Sequence, residues 1–297
     1  MQTTHRPAGA KRFHNHRHAL IGIMFILPSL SGCLLFVIIP FFDALWRSFF
    51  HGMRGGFAGI HYYQEIFRNP SFLSAVMNTG RFILLCVPVL LIVSLALALM
   101  LTRDSLGRAA LRASFLLPMA IPVASVALLW QILFHRSGLM NGALLSFGIA
   151  PIDWMKTDWS LFCLILSYVW KNMGYTMVLF IAGLSGINPS MYEAASVDGA
   201  GAARQFISIT LPCLKPTLFT VTVLSLLNSF KAYREAYLVA GNYPQGSIYL
   251  IQHTLNNWFT QLEIEKLSAA AIVTALVILL LVALLNRAWS ANAGEVA

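Results

Sequence analysis

The sequence predicts an all-α integral membrane protein with six transmembrane helices. Of its 297 residues, 58% are hydrophobic and only 10% are charged, whereas a soluble globular domain usually carries about 25% charged residues. The mean hydropathy of +0.72 also excludes a soluble domain. Each apolar run is long enough to cross a hydrocarbon core of about 30 Å at a helical rise of about 1.5 Å per residue. The six predicted spans are residues 19–42, 77–101, 111–134, 160–183, 216–238 and 267–285.

The formal net charge of +9 raises the question of an acidic partner such as nucleic acid. The basic residues are scattered between the apolar runs, and they form no basic face interleaved with aromatic residues. We therefore expect no nucleic-acid partner and assign the N-terminal basic cluster to the membrane lipid surface. A single membrane domain, residues 19–287, fits the length, and no internal repeat or low-complexity segment divides it.

The four cysteines are single and far apart, with no CxxC pair that would indicate a metal site or a redox motif. Such spacing is typical of small apolar core residues, so we predict four core thiols and no disulfide. They are Cys33, Cys86, Cys163 and Cys213.

Both ends of the chain are predicted to be cytoplasmic tails. Residues 1–18 are basic and contain three alternating histidines, His14, His16 and His18, and residues 288–297 are polar. Alternating histidines can bind a metal ion, yet nothing in this tail fixes a coordination geometry, so its role stays open. The basic cluster beside the first span favours a cytoplasmic N-terminus under the positive-inside rule.

The first span admits one alternative interpretation. The residues Leu30-Ser31-Gly32-Cys33 follow a basic flank and an apolar run, as in a lipoprotein signal that ends at an acylated cysteine. The apolar run continues through Phe42, however, and several more spans follow. A membrane-spanning helix is therefore favoured over a cleaved signal.

Prolines and aromatic residues mark the remaining connections. The first outer loop carries interfacial aromatic residues and short amphipathic helices, one over HYYQEIF and a second start at Asn69 and Pro70. Pro88 is expected to kink the second span, and Pro118 and Pro122 to interrupt the third. The predicted outer loops are residues 43–76, 135–158 and 239–266.

Six spans place both termini and residues 188–216 on the cytoplasmic side. Arginine and lysine also occur in the predicted outer loops, among them Arg68, Arg136 and Lys156, so the charge bias alone is weak. The orientation rests first on the N-terminal cluster and then on the short basic turn that contains Arg103 and Asp104.

Residues 188–216 read NPSMYEAASVDGAGAARQFISITLPCLKP and separate two of the most apolar runs. Asn188 can cap a helix, and Pro189 suits its first position because an N–H there has no intrahelical partner. A short helix is predicted over Met191 to Ala195, with adjacent alanines on its surface. Small side chains permit close backbone approach, so this helix is suited to insertion into a cleft of another protein.

The same segment contains clear stop signals. Asp198, Gly199 and Gly201 should break the first helix, and a second helix should continue until Pro212 and Pro216 end it. The sequence therefore predicts a helix–turn–helix between the fourth and fifth spans.

This segment resembles the EAA loop of bacterial ABC importer permeases at every position of that motif. The spacing is Glu-Ala-Ala, three residues, glycine, nine residues, isoleucine, one residue, Leu-Pro. The matching residues are Glu193, Ala194, Ala195, Gly199, Ile209, Leu211 and Pro212.

Other segments resemble the carbohydrate-uptake branch of that family, which contains maltose, multiple-sugar and glycerol-phosphate permeases. One is the W-x₃-G-Y sequence from Trp170 to Tyr175, and another is AYLVAGNYPQGSIYLIQHTLNNWF before the last span. This chain departs from the T-x-G-G-P turn that is frequent after the fifth span, because it has AGNYP from Ala240 to Pro244.

The resemblance implies a type I ABC importer permease fold with a cytoplasmic coupling helix, in the bacterial cytoplasmic (inner) membrane. It implies a heterodimer with a second homologous permease, two ATP-binding subunits, and an extracytoplasmic solute-binding protein that delivers a sugar solute. It also supports cytoplasmic termini. The chain itself would be non-catalytic and hold no cofactor, because the sequence has no GxxxxGK[ST] phosphate loop. ATP and Mg would be bound by the partner ATPase.

The resemblance places the ATPase contact within residues 188–216. Glu193 would make a charge-assisted contact, the two alanines would allow a close fit, and Asp198 and Gly199 would form the turn. An ordinary capping role for Asp198 stays open. The expected coupling residues are Tyr192, Glu193, Ala194, Ala195, Asp198, Gly199 and Ala200.

Polar residues in the fourth and fifth spans are expected to face the bundle interior, because lipid penalises them. There they would form a hydrophilic path for a hydroxyl-rich solute, with aromatic rings as stacking faces. The alternative is interhelical hydrogen bonding, or snorkelling of Lys171 and Lys231 to an interface. The expected path residues are Trp170, Asn172, Tyr175, Asn228, Ser229 and Lys231.

An ATP-driven sugar importer is the favoured function. The charges Lys231, Arg234 and Glu235 near the outer end of the fifth span also admit a phosphorylated or acidic sugar or polyol. A secondary transporter would need acidic residues inside its spans, for which Glu235 is the candidate. A membrane enzyme would need a motif such as HExxH or GxSxG, and the sequence contains neither.

Overall fold

The computed structural model describes residues 23–52, 55–102, 106–244 and 246–291. The basic N-terminal tail with its histidines, the start of the first span, Arg103 and Asp104, and most of the C-terminal tail lie outside these ranges. Within them the backbone is helical apart from turns, loops and one isolated β-bridge between Phe50 and Phe57, which confirms the all-α prediction. The helices are α1 Ile23–Arg47, α2 His61–Arg68, α3 Pro70–Leu101, α4 Leu106–Ala120, α5 Val123–Leu133, α6 Leu139–Ser146, α7 Trp159–Ser185, α8 Pro189–Val197, α9 Ala202–Cys213, α10 Lys215–Ala240, α11 Ile251–Thr260 and α12 Ile264–Ala291.

Four helices in the described part of the chain, α1, α3, α7 and α12, are each long and apolar enough to cross a membrane. Two further pairs qualify together but are bent, by 96° between α4 and α5 and by 67° between α9 and α10. If each bent pair counts as one span, the total is the predicted six. The bounds of the predicted fifth span, residues 216–238, coincide with α10, while α9 belongs to the connecting segment before it.

The third predicted span is broken at one of its two prolines. α4 ends at Ala120 and α5 begins at Val123, with Pro122 extended between them (φ −55°, ψ 141°). Proline lacks an N–H and disfavours the helical conformation in the residue before it, which explains the break. Pro118 does not interrupt the chain, because it lies inside α4, and Pro88 lies inside a continuous α3.

Two other prolines inside helices directly follow a π turn. Residues Leu34–Ile38 form such a turn before Pro40, and residues Phe206–Thr210 form one before Pro212. A proline ring in a regular helix collides with the carbonyl four residues earlier. The wider π turn, with i→i+5 hydrogen bonds, relieves that collision, so both helices pass through their proline.

The predicted outer loops contain more helix than the sequence indicated. α2 was expected, but α6 and α11 were not. α3 begins at Pro70, before the predicted span, because the Asn69 side chain accepts the Ser71 N–H at 2.9 Å and caps the helix. α11 is fixed to α3 by the Ile251 N–H, which donates to the Thr79 hydroxyl at 2.9 Å.

A buried histidine lies on α11 at the first turn. His253 has no exposed surface, and its Nδ1 accepts the Leu250 N–H at 3.1 Å. Burial lowers the pKa of His253 to about 4, because an apolar environment disfavours the charged ring. The imidazole is therefore neutral and structural at ordinary pH.

α3 and α7 form the centre of the bundle, and α10 packs beside both. One buried cluster surrounds Phe82, Leu90 and Tyr168 and includes Ala236 of α10. A second lies nearer to α8, and we name it the α8-side cluster. Its buried members are Ala98, Leu101, Met177, Phe180, Leu184, Ile187, Leu214 and Val221.

α1 is the least integrated helix. Its large apolar side chains from Ile23 to Phe42 are exposed in this single chain, and its second half packs against α12. The helix continues without a break past Cys33, which is exposed, as is Cys213, whereas Cys86 and Cys163 are buried. The prediction of four core cysteines is therefore wrong for two of them, because no described helix covers α1 at Cys33 or the end of α9 at Cys213.

Glycine permits the close crossing of α4 and α7. A Cβ atom at Gly174 would overlap the backbone carbonyl of Phe115, so no larger side chain fits without moving one helix. We predict that Gly174→Ala lowers the melting temperature of the detergent-purified protein, with a loss on the order of 1–3 kcal/mol for overpacking. The matched control is Gly80→Ala in α3, where an added Cβ meets nothing within 4 Å. Equal melting temperatures for the two variants would contradict this account of the crossing.

Candidate functional site

The start of α8 follows the local rules of helix capping. The Asn188 side chain accepts the Ser190 N–H at 3.1 Å, and Pro189 occupies the first helical position. Both predictions for these residues are confirmed.

The end of α8 is a Schellman turn. Gly199 has a φ of +77°, its N–H donates to the Ser196 carbonyl at 3.1 Å, and the Ala200 N–H donates to the Ala195 carbonyl at 2.8 Å. A side chain at this left-handed position would be strained, which is why glycine is favoured here. Gly199 therefore forms the predicted turn, although α8 extends to Val197 rather than ending at Ala195.

α9 returns from this turn toward the bundle. It ends at Cys213, one residue beyond Pro212, because the π turn before that proline lets the helix pass through it. Leu214 then redirects the chain into α10, in which Pro216 lies in the first turn. The predicted second helix is thus present, with its end displaced by one residue.

Side-chain contacts fix α8 to α9. The hydroxyls of Tyr192 and Thr210 are hydrogen bonded at 2.9 Å. The Gln205 side chain donates to the Ser196 hydroxyl at 2.8 Å and to the Ala200 carbonyl at 3.1 Å. Tyr192 also packs against the α8-side cluster, so the two helices and the spans behind them form one packed unit.

The opposite face of α8 projects from the protein. Ser190, Glu193, Ala194 and Val197 are all exposed and follow the i, i+3, i+4, i+7 spacing of one helical face; we name this face the α8 ridge. Val197 is 88% exposed. A short ridge with one carboxylate, one alanine and an uncovered valine can enter an apolar cleft.

The predicted coupling residues divide between these two faces. Glu193 and Ala194 lie on the α8 ridge, Tyr192 points toward the bundle, and Asp198 and Gly199 lie in the exposed turn with half-buried Ala195 and Ala200 behind them. The sequence reasoning missed Val197, which follows Glu193 by one helical turn and could have been found from that spacing.

The predicted path residues are partly brought together. Asn172 and Tyr175 of α7 and Asn228 of α10 line one narrow crevice. Lys231 does not line the crevice, but its ammonium donates to the Asn228 side-chain oxygen at 2.7 Å. Asn172 donates to the Tyr168 carbonyl at 2.8 Å, so one of its polar groups already has an internal partner.

Two predicted path residues, Trp170 and Ser229, lie outside this crevice. The Trp170 ring meets Trp130 edge-on with centroids 5.8 Å apart, in the packing between α5 and α7. Ser229 is 1% exposed, and its hydroxyl donates to the Leu226 carbonyl at 2.6 Å. Neither residue lines the crevice.

Lys171 and Glu235 form an ion pair between α7 and α10. The Lys171 Nζ lies 3.1 Å from the Glu235 Oε1, and the two side chains are 13% and 12% exposed. Glu235 borders a cavity of about 20 Å³ together with Trp130 and Ser167. From sequence, Lys171 was considered as a residue that snorkels to an interface, and its pairing with Glu235 was not predicted. Opposite charges on neighbouring spans could have indicated this ion pair.

This pair supplies a test of the packing between α7 and α10. Removing one partner leaves the other charge buried alone, which typically costs about 3–5 kcal/mol, whereas replacing both by apolar residues is often neutral. We predict that Lys171→Met lowers the melting temperature in detergent clearly and that Lys171→Met combined with Glu235→Leu recovers most of the loss. Additive losses in the double variant would show that the two charges are not coupled.

Comparison with known proteins now identifies the family. The family described as the inner membrane component of binding-protein-dependent transport systems matches residues 90–290, and this chain belongs to it. It is a multi-pass, inner-membrane permease subunit of an ABC transporter.

Curated relatives match nearly the whole chain. The trehalose/maltose transport system permease protein of Thermococcus litoralis is 31% identical over 89% of this chain and 92% of its own length. The sulfoquinovosyl glycerol transport system permease protein of Agrobacterium fabrum is 29% identical over 80% and 81%. The sn-glycerol-3-phosphate transport system permease protein of Yersinia pestis is 29% identical over 86% and 89%.

The fold is that of a solved ABC importer. A chain of a bacterial ABC transporter that imports the acidic polysaccharide alginate superposes with a TM-score of 0.81, covering 94% of this chain and 98% of that one, at 23% identity. The predicted type I permease fold is thereby confirmed.

Proposed function

We propose that this chain is a permease subunit of an ATP-driven importer, that it carries a sugar or sugar-like solute into the cell, and that it couples to separate ATPase subunits through the α8 ridge. The relatives are named for the transport of trehalose or maltose, sulfoquinovosyl glycerol and sn-glycerol-3-phosphate. These solutes share several hydroxyl groups, which supports a polyhydroxylated solute here.

The observation that carries the coupling proposal is the α8 ridge. An uncovered valine beside an alanine costs free energy in water, and a partner that covers them recovers it. The small Ala194 lets the partner approach the helix closely. Glu193 has no ion-pair partner in the described part of the chain, so its carboxylate is available for an arginine or a backbone N–H of the ATPase.

The contacts behind the ridge support its transmission of force. Tyr192 links α8 to Thr210 of α9 and packs on the α8-side cluster, which contains residues of α3, α7 and α10. A displacement of α8 by the ATPase would therefore move the inner ends of these helices together.

The energy source and the other partners are proposed from the sequence and from the family to which the chain belongs. The sequence has no phosphate loop, so we assign ATP and Mg to the ATPase subunits and give this chain no catalytic role and no cofactor. A second homologous permease completes the pathway as a heterodimer, and an extracytoplasmic binding protein delivers the solute. Both termini and α8 face the cytoplasm in this proposal.

The solute path is assigned to the crevice between α7 and α10, which is too narrow in this structure to admit a water molecule and would have to widen during transport. Asn172 and Asn228 offer amide groups for hydroxyls, and Tyr175 offers an aromatic face. Lys231 joins the group through its hydrogen bond to Asn228, while Trp170 and Ser229, which lie outside the crevice, are not assigned to the path.

Reversing the charge on the α8 ridge tests the ATPase contact. We predict that Glu193→Lys abolishes at least about nine-tenths of ATPase co-purification in detergent, because a buried unpaired lysine would replace a charge-assisted contact. The control is Asp158→Lys, which changes an exposed carboxylate at the other end of α7. ATPase retention by Glu193→Lys, with the control also intact, would refute the docking assignment.

A second test isolates the backbone of the turn. Gly199→Val forces a β-branched residue into a left-handed conformation, at a cost of at least about 1–2 kcal/mol, and should reduce ATP-driven uptake strongly. Gly201→Val is the matched control, because Gly201 has an ordinary extended conformation (φ −68°, ψ 166°) and free space around it. We expect uptake by Gly201→Val to stay close to the wild-type level. Equal losses of uptake in both variants would contradict the requirement for a left-handed residue at position 199.

The transport function is tested in liposomes that contain the complete importer with ATP inside. We expect labelled solute to accumulate only when ATP and the binding protein are both present. Accumulation by this single polypeptide without ATP would instead establish a secondary transporter.

A further inference from the structure

One exposed stripe of α10 carries two cations. Leu227, Lys231, Arg234 and Leu238 are all exposed and succeed one another at spacings of four, three and four residues, so they share a helical face. The face is apolar at both ends and positively charged in the middle.

The depth of these cations limits what they can face. α10 begins at Lys215, so a rise of about 1.5 Å per residue places Lys231 roughly 24 Å along the helix and Arg234 one turn further. Both belong to an apolar span, and charged side chains in spans face a water-filled path or the bundle interior because hydrocarbon penalises them. The two cations therefore lie toward the outer end of the span, and in the proposed heterodimer we place the stripe beside the path between the two permeases.

The direction of the Lys231 side chain argues against simple snorkelling. Its ammonium donates to the Asn228 side-chain oxygen at 2.7 Å, one turn back toward the middle of the span. A lysine that snorkels to the outer surface would extend the other way. Lys231 is thus directed toward Asn228, which lines the crevice together with Asn172 and Tyr175.

The stripe on α10 carries a net positive charge, because the acidic residue of this helix is already paired with Lys171. Glu235 is the acidic residue of α10, and its carboxylate is held in the buried pair with Lys171 at 3.1 Å. Neither Lys231 nor Arg234 has an ion-pair partner among the residues that the structure describes. The Lys171–Glu235 pair is neutral overall, so the stripe keeps the two positive charges of Lys231 and Arg234.

We infer that the solute carries an acidic group, a carboxylate, sulfonate or phosphate, which pairs with Lys231 and with Arg234 on the same stripe. The inference rests on the proposed import of a polyhydroxylated solute and narrows it to an anionic sugar or polyol derivative. An acidic group would receive charge-assisted hydrogen bonds from both side chains, which are stronger than those to a neutral hydroxyl.

The test uses the complete importer in detergent without its binding protein, so that the selectivity of the binding protein does not enter. Radiolabelled glucuronate is bound at equilibrium and displaced by unlabelled glucuronate, glucose 6-phosphate or glucose. We expect the two acidic probes to compete at least about tenfold better than glucose. Lys231→Met should reduce that preference to less than about threefold, and Lys231→Glu should reverse it.

Lys156→Met is the matched control, because it removes an exposed lysine from the loop before α7 and should keep the preference. Equal competition by glucose and glucuronate in the wild type would overturn the inference, as would an unchanged preference in Lys231→Met. Since the binding assay needs no ATP, an importer that still accumulates neutral sugar with ATP but shows no acidic preference would refute this inference alone and leave the proposed function standing.

Discussion

Within a bilayer every backbone N–H and C=O must find its partner inside the protein, and the prolines of this chain show how that constraint is met. Pro40 follows a π turn inside α1, and Pro88 lies inside the continuous helix α3. Pro122 instead divides a span into two bent helices. The same absence of water explains why Lys171 and Glu235 pair between neighbouring helices.

The proposed coupling depends on a hairpin that is rigid at its base and uncovered at its tip. The rigidity comes from the Tyr192–Thr210 hydrogen bond, the Gln205 contacts and the packing of Tyr192 on the α8-side cluster. The tip is the α8 ridge, whose side chains are exposed in the part of the chain that the structure describes. In this proposal an ATPase subunit bound to the ridge displaces α3, α7 and α10 through the α8-side cluster. The Schellman turn at Gly199 fixes the orientation of α8 relative to α9.

Local rules predicted much of this hairpin from sequence. Asn188 as cap, Pro189 at the first position and Gly199 at the turn depend on single-residue conformational preferences, so neighbours in space do not alter them. The exposure of Val197 depends on what packs on each face of α8 and was not predicted. The Lys171–Glu235 pair was missed for the same reason, since the two residues lie on different helices. The helices α6 and α11 formed in predicted loops. For α11, Thr79 of α3 supplies a hydrogen-bond partner that no sequence pattern reveals.

The central claim is that the α8 ridge faces the cell interior and meets the ATPase there. It is tested most directly by labelling Ala194→Cys, in a background without the four native cysteines, with a membrane-impermeant maleimide. The account predicts labelling in inside-out vesicles, protection when the ATPase is bound, and no labelling in intact right-side-out vesicles, with Lys156→Cys giving the reverse sidedness. Labelling of Ala194→Cys from outside the cell would contradict the orientation and with it the coupling mechanism.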